Sequence, residues 1–299
     1  MDLQIVHAVQ SIATPTLDFF MRVFTAFGEQ TFFLLLFAIT YWCINKNSAL
    51  KMTFAFLLSV CVNGLKSIVK RERPHVADPT VNGPHVSSDY SFPSGHSQNY
   101  AVTATSFGFA LFEVAKKKWQ RVVYVVVAVV MGLLMGLSRI YWGMHYLTDV
   151  AAGLALGTLC ALVVEVVVKF MPAKLKQFGL TRLLLIGIGV AVTALVVLIC
   201  VGIKSAGVYK DVALFIGVAG GHVVNERFVK YDPKTTRVNK WIVVAIGLVV
   251  CGGAYALLRL IPNNTVSLSL AFFAVTALAT AFVPFVVKLI EKRFYTNKN

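Results

Sequence analysis

The sequence predicts an all-α fold, a polytopic membrane helix bundle of about nine transmembrane helices preceded by an N-terminal interfacial helix. Hydrophobic residues make up 58% of the chain and charged residues only 14%, whereas soluble domains carry about 25% charged residues. Apolar runs of the roughly 17–25 residues needed to cross a bilayer recur along the whole length. In lipid such runs must be helical, because every backbone donor and acceptor needs a partner within its own segment.

The first 25 residues differ from the rest of the chain. Polar residues such as Asp2, His7 and Asp18 interrupt the apolar ones, with Pro15 in the middle. The basic start, compact apolar stretch and small-residue cleavage site of a signal peptide are not evident. We therefore interpret residues 1–25 as an amphipathic helix in the membrane interface, with an extra span as the open alternative.

Nine apolar runs follow, and each predicts a transmembrane helix. The first run is short, and the seventh contains Gly220, Gly221 and His222, so these two are less regular than the others. The nine predicted spans are residues 30–45, 50–69, 97–115, 121–138, 147–169, 182–203, 210–228, 240–260 and 267–289.

The polar motifs divide the chain into a functional core and an extension. Residues 26–170 contain every motif described below, whereas residues 171–299 contain four further spans without one. The basic stretch 170–182, which includes Pro172 and Gly179, is the expected boundary. We treat 171–299 as an appended four-helix transmembrane module to which the sequence assigns no role.

The net charge of +15 does not indicate a nucleic-acid partner, because the cations are distributed as expected for a membrane protein. By the positive-inside rule, loops rich in Lys and Arg face the cytoplasm, so the nearly uncharged intervening loops face the other side. Nineteen of the 28 Lys and Arg fall in alternate connections, namely Lys46, Lys51, Lys116, Lys117, Lys118, Arg121, Lys169, Lys174, Lys176, Arg182, Arg227, Lys230, Lys234, Arg237, Lys240, Lys288, Lys292, Arg293 and Lys298.

The first motif, Lys66 to Pro74, ends the second predicted span. Seven residues separate Lys66 from Arg73, about two helical turns, so both cations are predicted to share one helix face until Pro74 stops the helix. Two fixed cations can neutralise a phosphoryl group. The alternative is that both side chains only extend to the membrane interface. Lys70 and Arg71 are more consistent with solvent or headgroup contacts.

The second motif, Pro93-Ser94-Gly95-His96, lies where a polar loop meets the third span. Pro and Ser favour a helix start, and the free N–H groups of a helix N-terminus bind phosphate oxygens. Gly95 allows close approach of the backbone to such a group. An ordinary helix cap with an incidental His96 is the alternative.

The third motif combines Ser138-Arg139 with His145 and Asp149. The four-residue spacing places the Asp149 carboxylate and the His145 imidazole on a shared face. An Asp that holds one ring nitrogen leaves the other free to attack. Arg139 is predicted to hold phosphate oxygens, since an unpaired Arg near the membrane would be costly. The alternative is an interfacial His beside a helix-starting Asp.

These three motifs resemble those of the type 2 phosphatidic acid phosphatase superfamily, whose pattern is Lys-x6-Arg-Pro, Pro-Ser-Gly-His and Ser-Arg-x5-His-x3-Asp. The sequence fills every position of the pattern. The resemblance implies that residues 26–170 are a phosphatase core, that His145 attacks phosphorus with Asp149 orienting it, and that His96 is the general acid. It further implies that Lys66, Arg73, Ser94, Gly95 and Arg139 bind the phosphoryl oxygens, with no metal and no cofactor.

The resulting hypothesis is an integral membrane lipid phosphatase of a bacterial plasma membrane, with its active site on the extracytoplasmic side. Its substrate is expected to be a polyprenyl diphosphate, phosphatidic acid, phosphatidylglycerophosphate or a sphingoid phosphate, and its partners are this lipid and the bilayer. A phosphotransferase that passes the phosphoryl group to a lipid or sugar hydroxyl is the alternative. A transporter or flippase is disfavoured by the few ionisable residues in the later spans. The sequence predicts no oligomeric state.

Overall fold

The structure is a computed structural model that describes residues 2–83, 89–172, 206–258 and 264–295. It also describes residues 179, 182–187, 189–190, 192–193, 196 and 260. The regular structure of these residues is helical and includes two π-helical turns. The described residues contain no strand. The predicted all-helical fold is therefore confirmed for the described part of the chain.

Two helices, and not the single predicted one, form the N-terminal region. Helix α1 spans Asp2–Gln10 and α2 spans Pro15–Ala26. The break occurs because the Thr14 side chain caps α2 and Pro15 takes its first turn, the position that Pro prefers. Helix α1 packs on the motif loops, since Val6 is fully buried against Val81 and Ile140. A membrane-interface location for residues 1–25 stays a prediction.

The next helices lead into the first motif. Helix α3 spans Gln30–Cys43 and α4 spans Lys46–Asn63, followed by two single-turn helices, α5 (Lys66–Val69) and α6 (Pro74–Ala77). These elements bring the chain to the polar segment that precedes the second motif.

Helices α7 (Gly95–Val114), α8 (Lys118–Tyr141) and α9 (Leu147–Phe170) carry the second and third motifs. Glycines on α9 permit its close contact with α7. A Cβ added to Gly153 would lie 2.5 Å from the Ser94 carbonyl oxygen, and one added to Gly157 would collide with the Gln98 carbonyl oxygen. This close packing holds the start of α7 beside the start of α9.

The remaining described helices are α10 (Ala206–Val224), α11 (Lys240–Leu258), α12 (Thr265–Ala277) and α13 (Val283–Tyr295). π-helical turns at Asn225–Val229 and Leu278–Phe282 extend α10 and join α12 to α13. His222 is buried here and its Nδ1 lies 2.9 Å from the Tyr41 hydroxyl. This histidine therefore belongs to the internal packing of these helices.

The predicted count of about nine transmembrane helices is not confirmed. Six described segments are long and apolar enough to cross a bilayer, and a seventh arises if α2 and α3, bent by 52°, form one broken span. Helix α7 is not among the six, because its buried side carries polar residues such as Ser97, Gln98 and Thr103. Half of the predicted span 182–203 lies outside the described residues. The six segments are Lys46–Ala77, Lys118–Tyr141, Leu147–Phe170, Tyr209–Val229, Lys240–Leu258 and Thr265–Phe294.

The chain divides into two compact units. The first comprises Met1–Phe37 and Lys51–Lys169, and the second comprises Ala38–Leu50 and Phe170–Asn299. Every residue of the three motifs belongs to the first unit. The site can therefore be described within that unit alone.

Candidate active site

Lys66 and Arg73 do come together, but the predicted continuous helix between them is wrong. Helix α4 ends at Asn63, and the short α5 ends where Lys70 adopts a left-handed conformation with φ of 50°. Arg73 is extended, as expected for a residue before proline. Pro74 then begins α6 and does not end a helix. A turn, and not a shared helix face, therefore places the two cations in one site.

Both cations are buried and both contact Asp89. Lys66 is 8% exposed and Arg73 6% exposed. Lys66 Nζ lies 3.1 Å from Asp89 Oδ2, and Arg73 Nη2 pairs with Asp89 Oδ1. Burial raises the pKa of Asp89, but the charges of Lys66 and Arg73 outweigh this effect, so the pKa lies below its usual value. Asp89 is therefore an ionised partner of the two cations.

His145 lies in the short loop between α8 and α9, where its two ring nitrogens have different surroundings. Nδ1 is 2.8 Å from the backbone carbonyl oxygen of Ser91. Because a carbonyl only accepts hydrogen bonds, Nδ1 carries the proton and Nε2 is the unprotonated nitrogen with the lone pair. Nε2 lies 3.3 Å from Arg73 Nη1. The reactive nitrogen thus faces one of the two predicted phosphate-binding cations.

Asp149 approaches His145 less directly than the spacing predicted. Its Oδ2 is 3.7 Å from His145 Nδ1, which exceeds hydrogen-bonding distance. Oδ2 instead accepts hydrogen bonds from the Ser91 hydroxyl at 2.5 Å and from the Tyr146 N–H at 2.9 Å. Ser91 links the two groups, because its hydroxyl donates to the Asp149 carboxylate and its backbone carbonyl accepts from His145 Nδ1. Asp149 therefore acts on His145 through Ser91 and through its charge.

The pKa of His145 follows from this burial. Burial lowers it most, the carboxylate of Asp149 opposes that effect, and the charges of Arg139 and Arg73 lower it further, to about 4. The imidazole is consequently neutral at physiological pH. A neutral imidazole with a free Nε2 is the form that can attack an electrophile.

The second motif starts α7 as predicted. Ser94 is the N-cap of α7, and its hydroxyl accepts a hydrogen bond from the Ser97 N–H at 3.4 Å. A Cβ added to Gly95 would make only ordinary contact with Asn63, at 3.5 Å. Protein packing alone therefore does not require glycine at position 95. Among the described residues, the imidazole of His96 has no hydrogen-bond partner. Burial, together with the charges of Arg139 and His145, lowers the pKa of His96 well below its usual value.

Arg139 ends α8 with an incompletely satisfied guanidinium. It is 7% exposed, and its Nη1 donates to Thr25 Oγ1 at 2.6 Å. Its Nε is buried and lacks a hydrogen-bond partner among the described residues. Buried donors without partners are costly, so this N–H is available for an anion.

Three residues of the site were not predicted from the sequence. Ser91 fixes His145, Asp89 contacts Lys66 and Arg73, and Arg71 donates to Asp149 Oδ1 at 2.8 Å. Arg71 also pairs with Asp2 and lies 3.9 Å from the centre of the Tyr146 ring. Their positions in the sequence could have indicated these residues: Asp89 and Ser91 lie just before the second motif, and Arg71 lies inside the first motif.

Together these residues place a neutral histidine with an unprotonated Nε2, three buried cations and a second histidine around one helix N-terminus. Such a set of groups can bind a phosphoryl group and transfer it through a nitrogen nucleophile. This class of site in an apolar helical bundle defines a membrane-bound phosphoryl-transfer enzyme.

Comparison with known proteins gives the family. The model of the PAP2 superfamily matches residues 48–176, and the model described as PAP2 superfamily phosphatase, transmembrane extension, matches residues 209–293. Phosphatidylglycerophosphatase B of Bacillus subtilis (strain 168) is 32% identical over 184 residues, which cover 59% of this chain and 86% of that protein. The chain belongs to the PAP2 superfamily of membrane lipid phosphatases and is a phosphoric monoester hydrolase.

Two further proteins are similar to this chain. Lipid A 4'-phosphatase of Bacteroides thetaiotaomicron is 28% identical over 175 residues, covering 52% of this chain and 72% of that protein. The crystal structure of a transmembrane PAP2 type phosphatidylglycerolphosphate phosphatase from Bacillus subtilis is 28% identical, covers 57% of this chain and 86% of that one, and has a TM-score of 0.48. The family assignment rests on the sequence matches.

Proposed function

We propose that this protein hydrolyses a lipid phosphomonoester or diphosphate at the extracytoplasmic face of the membrane, without a metal, through a phosphohistidine on His145. One observation carries the proposal: the Ser91 carbonyl holds Nδ1 of His145, while Nε2 points to Arg73 at 3.3 Å. A histidine fixed in this way presents its lone pair beside a cation that can hold phosphate oxygens. The geometry supports nucleophilic catalysis by this nitrogen.

In the first half-reaction, His145 Nε2 attacks phosphorus and the bond from phosphorus to the lipid oxygen breaks. Lys66, Arg73 and Arg139 neutralise the equatorial oxygens, where charge spreads in the transition state. The negative charge of the bound phosphate opposes the lowered pKa of His96 and favours its protonation, and His96 then gives that proton to the leaving lipid oxygen. The imidazole of His145 becomes cationic as the N–P bond forms, and the nearby Asp149 carboxylate stabilises that charge.

In the second half-reaction, water attacks the phosphohistidine. His96, now neutral, takes a proton from the water as its oxygen bonds to phosphorus, and the N–P bond breaks. The products are inorganic phosphate, neutral His145 and protonated His96, so the site returns to its starting protonation state. Ser94 and the backbone N–H of Gly95, at the N-terminus of α7, hold phosphate oxygens throughout.

Charge replaces metal in this proposal. Three cations surround the phosphoryl position, which is the function that metal ions serve in other phosphoryl-transfer sites. Metal independence remains a prediction for the experiment below.

Two features support a lipid substrate and the extracytoplasmic location. The two relatives described above are named for phosphatidylglycerophosphate and for lipid A, which are phosphorylated lipids. Within the first unit, the motifs lie at the start of α7, the end of α8 and the start of α9, whereas Lys116, Lys117 and Lys169 lie at the opposite ends. The positive-inside rule assigns that basic end to the cytoplasm.

The experiment is phosphate release by the purified protein in detergent with EDTA present. The substrates are phosphatidylglycerophosphate, phosphatidic acid, a sphingoid phosphate and a polyprenyl diphosphate. We expect release from at least one of them, abolished in His145→Asn and retained in His7→Asn, a substitution at a half-exposed histidine outside the site. A strict requirement for a divalent cation, or full activity of His145→Asn, would contradict the proposal.

A lipid phosphotransferase is the second candidate, because the first half-reaction is the same for both. The acceptor of the phosphoryl group decides between them. Mass spectrometry of products formed with lipid and sugar alcohols present distinguishes the two: a phosphatase forms inorganic phosphate alone, whereas a phosphotransferase forms a new phosphate ester.

A further inference from the structure

Asp89 holds the position that a phosphate would need. Its two carboxylate oxygens contact different cations, with Oδ2 at 3.1 Å from Lys66 Nζ and Oδ1 paired with Arg73 Nη2. The Asp89 backbone carbonyl also accepts a hydrogen bond from Arg73 Nε at 3.1 Å. One anionic group with two oxygens thus bridges the two cations of the first motif, as a phosphoryl group would.

The three residues differ in how easily they can move. Lys66 and Arg73 are 8% and 6% exposed, and Arg73 is further fixed by hydrogen bonds to the Met144 carbonyl oxygen and His145 Nε2. The Asp89 side chain is 53% exposed. Buried cations need an anion nearby because their desolvation is costly, whereas a half-exposed carboxylate can be solvated by water when it leaves.

Substrate and Asp89 therefore compete for the same donors. The phosphorus under attack must lie next to His145 Nε2, which contacts Arg73 Nη1 at 3.3 Å, so its oxygens need the guanidinium that Asp89 contacts. Two anions on the same pair of cations would repel each other, and like charges at such distances disfavour joint occupancy.

We propose that Asp89 is an internal anion that binds Lys66 and Arg73 between turnovers, leaves when the substrate phosphate enters, and returns to expel inorganic phosphate. This inference rests on the proposed function of the site. Asp89 weakens phosphate binding and speeds product release, because each bound phosphate must displace it. It also keeps the two buried cations compensated in the free enzyme.

The experiment compares Asp89→Asn with the wild-type protein, using inorganic phosphate and orthovanadate as inhibitors of phosphate release from phosphatidic acid. The amide is close in shape to the carboxylate and lacks its charge. We expect the inhibition constant of each anion to fall about tenfold, the factor that corresponds to 1.4 kcal/mol, while kcat falls if phosphate release limits turnover. Glu72→Gln removes the same charge from the exposed residue beside Arg73 and should leave both constants within twofold.

Each outcome separates this inference from the proposed function. Unchanged inhibition constants in Asp89→Asn would overturn the inference, because Asp89 would then not compete with phosphate. Raised constants would also overturn it, because they would mean that Asp89 holds the cations in their binding positions. Absence of phosphate release by the wild-type protein would instead contradict the proposed function. If Asp89→Asn does not fold, Asp89→Ala and Asp89→Ser are measured, with thermal stabilisation by phosphate as a second reading of affinity.

Discussion

At the scale of single residues, the hydrogen bond between His145 Nδ1 and the Ser91 carbonyl decides which ring nitrogen can react. The 2.8 Å contact leaves the lone pair on Nε2. Asp149 contributes by holding the Ser91 hydroxyl and by placing a negative charge 3.7 Å from Nδ1. This arrangement differs from a direct Asp–His pair, although it achieves the same protonation state of the nucleophile.

The general-acid role proposed for His96 predicts that the effect of its substitution depends on the leaving group. We expect His96→Asn to lower kcat/KM by about 10²–10⁴-fold with an alkyl phosphate and by less than about tenfold with a p-nitrophenyl phosphate, whose leaving group needs no proton. The measurement is kcat/KM for both substrates with both proteins. Equal losses with the two substrates would show that His96 does not protonate the leaving group.

The pKa of His145 predicts a pH-dependent contribution to stability. Its folded-state pKa of about 4 lies below the value of about 6.5 for an unfolded chain. The folded state therefore binds fewer protons between these values, so the free energy of unfolding falls as the pH drops from about 6.5 towards 4. At pH 5 the loss is about 2 kcal/mol.

The test is thermal unfolding in detergent at pH 7.5 and pH 5. We expect the Tm of the wild-type protein to fall by about 4 °C more than that of His145→Gln over this interval. The comparison cancels the other titrating groups, because both proteins share them. Equal decreases in the two proteins would mean that His145 is protonated at its ordinary pKa.

The motif positions were predictable at this scale, and their bonding partners were not. The spacing along the chain predicted two pairs, His145 with Asp149 and Lys66 with Arg73, because residues one or two helical turns apart lie close together on a helix. Ser91 contributes through its backbone carbonyl, which every residue type possesses, so no side-chain pattern could reveal that role.

At the scale of elements, α1 connects the N-terminus to the carboxylate of Asp149. Asp2 of α1 pairs with Arg71 at 2.8 Å, and Arg71 in turn donates to Asp149 at 2.8 Å. Gln10 reinforces this packing by donating to the Asn82 and Tyr141 carbonyl oxygens. Helix α1 thus holds the loop that positions Arg71 against α9.

Arg71 is accordingly a positioning residue for Asp149. We expect Arg71→Gln to lower kcat by about 10–100-fold, the range associated with loss of a group that orients a catalytic centre, with KM changed less than threefold. Arg71→Lys should restore part of kcat because it keeps the charge. The control is Lys70→Gln, an exposed neighbour that should retain wild-type kinetics. A rise in KM with unchanged kcat would show instead that Arg71 binds substrate.

Element boundaries around the first motif could not be predicted from spacing alone. Seven residues fit two turns of a helix, but the left-handed Lys70 and the extended residue before Pro74 convert the segment into a turn. A helix and a turn would both bring Lys66 and Arg73 together, so the predicted proximity of the two cations is confirmed although the predicted helix is wrong. Similarly, residues 97–115 in α7 were predicted to be a transmembrane span, but the buried polar residues of α7 make it less apolar than the other spans.

At the scale of the whole molecule, the charge pattern predicts which side of the membrane the site faces. Thr80 precedes α7 near the motifs, and Lys116 follows α7 at the basic end; both are exposed. Single cysteines are introduced at these positions after Cys43, Cys61, Cys160, Cys200 and Cys251 are replaced by serine. We expect a membrane-impermeant maleimide to label Thr80→Cys, and not Lys116→Cys, in intact bacteria. The reverse pattern would place the site in the cytoplasm.

The extension at 209–293 matches a family model of its own. None of the three motifs lies in this region. In the second unit, Tyr41 of α3 forms a buried polar network with His222 and Asn225. A distinct internal core explains why the chain divides into two compact units. The sequence predicted four spans in this half and assigned them no role. Apolar helix faces indicate contact with lipid, but they do not indicate a particular ligand.

The central claim is the covalent intermediate on His145, and its direct measurement is rapid-quench trapping with a ³²P-labelled lipid phosphate. We expect alkali-stable, acid-labile label on the wild-type protein within one turnover, located at His145 by mass spectrometry of its peptide. His145→Asn should acquire none. Phosphate release from wild-type protein without such label, or label on another residue, would contradict the account.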